Sequence, residues 1–167
     1  MTYLNDAPIE YDFGGSRARL LVPGEQTANA YCMLEISSPA GRSTPMHEHE
    51  YEDEVIIVLD GELEVLVDEE GHLVTTGSSL MLPRGSRHQL INKTGSTSRY
   101  MVVCSPAGFE RFVGACSDAL SSGMEPRVPD DAMKARMRIA AAQFGITLYP
   151  PAPNQQPSQA HPAAQRS

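Results

Sequence analysis

The chain contains no tryptophan, and aromatic residues make up only 6% of its 167 residues. Broad platforms on which a planar, polycyclic ligand would stack are therefore scarce. Long apolar runs are missing too: none approaches the ~20 residues that a membrane-spanning helix needs. The opening Met1-Thr2-Tyr3-Leu4-Asn5-Asp6 has no basic stretch followed by an apolar one, so no secretory signal is read and a cytoplasmic location is expected. Positive charge is in deficit, with 13 Lys and Arg against 21 Asp and Glu and a formal net charge of −8. Without a basic stripe, such a chain is a poor match for nucleic acid or an anionic membrane, and neither is expected as a partner. Cys32, Cys104 and Cys116 are odd in number and form no Cys-x-x-Cys pair, which reads as buried free thiols in a reducing compartment. Asn92-Lys93-Thr94 matches a glycosylation acceptor, a match of no weight without a signal. No internal repeat is found.

What is present is a run of short strands with turn residues between them. Residues 17–22, 29–36, 55–59, 62–67, 72–75, 79–82, 87–91 and 98–105 carry β-branched or alternating apolar residues. The alternation is cleanest in Glu62-Leu63-Glu64-Val65-Leu66-Val67, and Asp68-Glu69-Glu70-Gly71 reads as the turn of a hairpin. Strands this short, without helices between them, predict an antiparallel sandwich or barrel. Residues 109–120 then read as a helix with Phe109, Phe112, Val113 and Cys116 on one face. Pro129-Asp130-Asp131 reads as the start of a second helix, with Met133, Met137, Ala140 and Phe144 as a stripe packed on the barrel and Gly145 as its stop. The expected organisation is an N-terminal arm over 1–16, a β-barrel over 17–106, a helical segment over 107–149 and a disordered Pro, Ala, Gln and Ser tail over 150–167.

The chemistry concentrates in Gly41-Arg42-Ser43-Thr44-Pro45-Met46-His47-Glu48-His49. Two histidines two apart on an extended segment share a face, so both imidazoles can approach one ion. Glu54 follows five residues later, and His88 lies on a strand beyond the hairpin. Three imidazoles and one carboxylate suit Mn, Fe, Co, Ni, Cu or Zn better than Mg or Ca, and in a six-coordinate ion leave two positions open. Each residue also has a plain reading. A lone histidine is usually a surface or satisfied core residue, and Glu48, Glu50, Glu52 and Asp53 read as a solvated acidic loop. His72, beside Gly71, reads as exposed, and His161 in the tail as a bystander.

Taken together, the spacing resembles the two motifs of the cupin superfamily. Gly41, five residues, His47, one residue, His49, four residues, Glu54, six residues and Gly61 match the first. Gly77, five residues, Pro83, one residue, Gly85, two residues, His88, three residues and Asn92 match the second. Weaker similarity extends from about Gly14 to Phe112, and this stretch, Ser105-Pro106-Ala107-Gly108-Phe109-Glu110 included, resembles small single-domain cupins of the quercetin-dioxygenase-like kind. The resemblance implies an all-β, double-stranded β-helix (jelly-roll) barrel with one or two C-terminal helices. It implies His47, His49, Glu54 and His88 as ligands of one divalent transition metal, Pro83 and Asn92 as structural turn formers, and a homodimer.

The function it implies is a metal-dependent dioxygenase acting on an enolic or phenolic small molecule, with Glu54 taking the substrate proton. The shortage of aromatics weighs against a flavonol as that substrate. The alternatives are a metal-dependent isomerase, lyase or polyketide-type cyclase that consumes no oxygen, and a non-catalytic small-molecule-binding cupin. By alternation from Glu54 and His88, Ile56, Val58 and Leu90 are expected to face inward.

Overall fold

A computed structural model describes residues 7–121 and 123–150. In chain order the strands begin with β1 (Glu10–Phe13), β2 (Ser16–Val22), β3 (Cys32–Ser38) and β4 (His47–His49). They continue with β5 (Asp53–Asp60), β6 (Glu62–Val67), β7 (Glu70–Thr75), β8 (Ser79–Leu82), β9 (His88–Ile91) and β10 (Ser98–Ser105). Helix α1 (Phe109–Cys116), β11 (Asp118–Ala119), helix α2 (Asp131–Gln143) and β12 (Ile146–Leu148) complete the described chain. The strands form a seven-stranded sheet, β11-β1-β2-β3-β10-β5-β8, and a five-stranded sheet, β12-β4-β9-β6-β7. From β3 to β10 the chain passes back and forth between the two, which is the winding of a jelly roll.

Alternation decides what each strand turns inward. On β5, Glu54, Ile56 and Val58 are buried while their neighbours are not. On β10, Tyr100, Val102 and Cys104 face the same interior, and on β6 Leu63 and Val65 meet them from the other sheet. The β6–β7 turn is tighter than the sequence suggests. Asp68 and Glu69 alone make it, at φ 47° and 85°, a left-handed pair whose twist suits a two-residue hairpin even without glycine. Gly61 carries φ 78°, and a Cβ there would lie 2.9 Å from Ser98 Oγ, so no other residue fits between β5 and β6.

Within the N-terminal arm, β1 pairs with β2 and β11 in the larger sheet. Two expectations are corrected. The first helix ends at Cys116 rather than at residue 120, because Asp118 and Ala119 leave it to pair with β1, and Leu120 N–H reaches Glu10 O at 2.8 Å. The segment beyond residue 107 is not helical throughout, since β12 adds a strand beside β4, with Ile146 opposite His49 and Leu148 opposite His47. The tail from residue 151, His161 included, lies outside the described residues. Among the described residues no helix is long and apolar enough to cross a membrane.

Helix α2 starts where its sequence signals place it. Asp130 accepts a hydrogen bond from Met133 N–H at 2.7 Å, and Gly145 follows the helix at φ 68°. Its outer flank is tied down by Asp118, which accepts from Arg136 Nη1 at 2.8 Å and from Arg127. Arg136, then Arg127, hold the Asp118 carboxyl below its ordinary value. Since the folded value is the lower one, the clamp is in force above the ordinary carboxylate range and is lost as acid takes the pH down through the folded value. Carboxyl NMR should find Asp118 titrating below the exposed aspartates, and Arg136→Gln should move it back toward them; an unmoved midpoint would contradict the clamp.

Candidate metal centre

Strand β4 is only three residues long, and its burial pattern puts His47 and His49 on one inward face. His88 opens β9 and pairs directly with His47. Glu54 comes from β5 in the opposite sheet. All four expected residues come together: one ligand atom from each lies within 4.8 Å of the others. His49, Glu54 and His88 are 1%, 3% and 1% exposed, and His47 is 9% exposed. His72 stands apart on β7, half-buried rather than exposed.

Glu54 Oε2 lies 3.3 Å from His49 Nε2 and 3.3 Å from His88 Nε2. Neither approach has hydrogen-bond alignment, and these three atoms are among the five buried side-chain atoms left without a hydrogen-bond partner in the described residues. An unmet buried polar atom costs about 1–3 kcal/mol, so three aimed at one point are expensive unless something sits between them. The other side of each ring is accounted for. His47 Nδ1 donates to Pro45 O at 2.8 Å, and His88 Nδ1 to Ser86 O at 3.1 Å. His49 Nδ1 faces Glu52 Oε2 at 3.4 Å. A carbonyl or carboxylate can only accept, so the protons reside on Nδ1 and the Nε2 lone pairs converge. The residues present therefore fit a three-nitrogen, one-oxygen coordination sphere.

The electrostatics agree. Burial, then the neighbouring His88 and His49, pushes His47 down to about 3, so its ring is neutral at ordinary pH. Burial alone would raise Glu54, but His88 and His49 beside it win and bring it down to about 2. Burial would lower His88, and the Glu54 charge raises it instead. A buried carboxylate with no Lys or Arg beside it asks for another cation, and a metal ion supplies one.

Glu52 is the residue missed. It was read as part of a solvated acidic loop, yet it is 4% exposed and holds the far side of His49. Gly108 makes room for it, since a Cβ there would come 2.6 Å from Glu52 Oε1. Nothing in an acidic run marks one member for burial; only its position three residues past His49 is suggestive. Glu52→Gln keeps the shape but weakens the support of the imidazole, and should lower metal affinity about tenfold in chelator competition. Unchanged affinity would make Glu52 a packing residue only.

The cluster opens into a cavity of about 950 Å³, reached by His47 and Glu54. Leu63, Leu90, Val102, Phe109 and Tyr100 form its walls. Leu90 thus faces the cavity, while Ile56 and Val58 are buried in the core beside it. Met133 and Met137 of α2 also line it, so the helical stripe does more than pack against the barrel. Burial, together with the Glu54 charge, pushes the Tyr100 phenol up, which keeps it protonated.

Residues 34–104 match the family described as Cupin domain. Quercetin 2,3-dioxygenase of Bacillus subtilis (strain 168) is 33% identical over 78 residues, 47% of this chain and 23% of that protein. Protein SchB of Streptomyces halstedii is 31% identical over 98 residues, 59% of this chain and 70% of that protein. The chain thus spans less than a quarter of the dioxygenase it matches. Among solved structures, KdgF from Halomonas sp. superposes with a TM-score of 0.57 at 16% identity, over 66% of this chain and 97% of that one, a likeness of fold.

Proposed function

The chain belongs to the cupin superfamily, and from that premise we propose that it is a metal-dependent dioxygenase acting on an enolic or phenolic small molecule. The observation that carries this is the ionised Glu54 carboxylate, buried among three imidazole nitrogens and facing an apolar cavity. The partial likeness to quercetin 2,3-dioxygenase supports the choice of reaction class. His47, His49, Glu54 and His88 would hold one divalent ion, which supplies Lewis acidity that favours the anionic form of an enol or phenol and redox chemistry toward dioxygen.

The chain's own residues do the rest. A carboxylate oxygen of Glu54 takes the hydroxyl proton of the substrate, leaving an enolate and a carboxylic acid. Tyr100, kept protonated, offers its hydroxyl as a donor inside the cavity. Leucine, valine and phenylalanine walls exclude water from the reacting carbon. The low aromatic content of the chain does not carry over to the cavity, which Phe13, Tyr100, Phe109, Phe112 and Tyr149 line, so the expectation that aromatics are too scarce for a planar ring is corrected.

An oxygen electrode tests this on protein loaded in turn with each candidate metal and offered a panel of enols and catechols. Oxygen uptake should match substrate loss, and Glu54→Gln should reduce the rate about 10²- to 10⁴-fold. Substrate loss without oxygen uptake would overturn the dioxygenase reading and point to an isomerase, lyase or cyclase.

A further inference from the structure

The cavity has a second chemical end. Of the 21 Asp and Glu in the sequence, Glu54 alone lines the cavity among the described residues. Three basic side chains line it: Arg42, Lys134 and Arg138. In a chain of net charge −8 this local excess runs against the background. Arg42 is half-buried and Arg138 exposed, and among the described residues neither has an ion-pair partner; Lys134 reaches only Asp131, at 3.4 Å. The Arg42 guanidinium is held over the β1–β2 turn, where a Cβ at Gly15 would come 2.8 Å from its Cζ and Nη2 and 2.9 Å from Pro129 Cδ. Gly15 sits at φ 82° and lets the guanidinium lie on bare backbone. The run from Arg42 to His47 spans at most about 17 Å, so one small molecule can touch both the cluster and the arginine.

We propose that the substrate carries an oxyanion, carboxylate or phosphate, which Arg42 receives together with Arg138 and Lys134, while its enol or phenol end meets the metal cluster. A guanidinium fork pairs two oxygens at once, and the half-buried position of Arg42 limits screening. A divalent ion with a single carboxylate ligand, facing three further cations, selects a ligand with two negative charges when ionised. The inference rests on the metal-site reading for one end of the substrate only.

The test compares 3-(3,4-dihydroxyphenyl)propanoate with its methyl ester, which shares the catechol head and lacks the charge. Both are titrated calorimetrically into cobalt-loaded protein. The acid should bind about tenfold tighter or better, and the preference should shrink with salt. It should fall toward parity in Arg42→Gln/Arg138→Gln and persist in Lys93→Gln, whose side chain pairs with Glu64 away from the cavity. Should the double variant melt early, Arg138→Gln alone, at an exposed side chain, must still reduce it. Replacing the carboxylate by a phosphonate of equal length separates the two oxyanions by which binds tighter. Equal binding of acid and ester, or a preference that survives the double variant, would overturn the inference and leave the metal site standing. If cobalt does not load, the metal reading fails, and the same pair titrated into metal-free protein still decides the anion site: an Arg42-dependent preference supports it and parity overturns it.

Discussion

The His88→Ala variant should fold and emerge from purification nearly free of metal, with affinity lower by about a hundredfold or more. Four-ligand zinc sites bind with about 10–16 kcal/mol in all, so one ligand carries about 3 kcal/mol. His88 is a stringent choice because its Nε2 is one of the converging orphan atoms, while its pairing with His47 across β4 and β9 is made by backbone that an alanine keeps. The cluster also joins the two sheets, since Glu54 belongs to one and the histidines to the other. Added cobalt or zinc should therefore raise the melting temperature of the parent protein, by mass action on the folded state, and leave that of His88→Ala unchanged. His72→Ala, on β7, is the internal control and should match the parent in both measurements. Elemental analysis with chelator competition reads the result. A His88→Ala protein holding a full equivalent of metal at parent affinity would remove the basis for the site.

Much of this was legible in the sequence because the relevant signals are local. The bounds of β6, β8 and β10 follow from alternation closed off by turn residues, and Asp130 announces α2 because a cap is a short-range device. His47 and His49 could be assigned to one face because the strand period is two. The strands that escaped are those that exist only through partners distant in sequence. Ile146-Thr147-Leu148 is too short to show alternation, and it is a strand because β4 offers its edge. Asp118 and Ala119 are drawn from helix to strand by β1 in the same way. Glu52 escaped for a related reason. Its burial depends on His49 and on the bare backbone of Gly108, a residue brought near only by the fold. The cationic rim is likewise invisible to spacing, because Arg42 and Arg138 lie on elements that meet only in three dimensions.

Asn92→Asp changes one amide nitrogen to oxygen and should cost about 3–5 kcal/mol at neutral pH. Asn92 was read as a turn former, but it is fully buried, and its work is to bind backbone. Its Nδ2 donates to Ser38 O at 2.9 Å, Ser96 O at 2.8 Å and Pro39 O at 3.1 Å. Its Oδ1 accepts from Thr94 N–H at 3.0 Å and Thr94 Oγ1 at 2.7 Å. An ionised aspartate keeps the Thr94 contacts and turns a negative oxygen toward three carbonyls that have lost their donor. Each lost hydrogen bond costs about 1 kcal/mol and the unpaired buried charge several more. The sign of the pH dependence separates this from simple loss of packing. A carboxyl so placed has a raised folded value. The destabilisation is therefore full above that value and shrinks as pH falls toward the ordinary carboxylate range of about 3.9. Denaturant melts at pH 7 and pH 5 should show Asn92→Asp regaining stability relative to the parent, while Asn92→Ala, which loses the same donors without gaining a charge, shows no such recovery. At pH 7 the aspartate should lower the melting temperature by about 10 °C. Asn92 N–H also reaches Arg42 O at 2.8 Å, so the turn that the amide ties down is the one that presents Arg42 to the cavity. Near-parent stability of Asn92→Asp at pH 7 would mean that the amide donors are not what holds that turn.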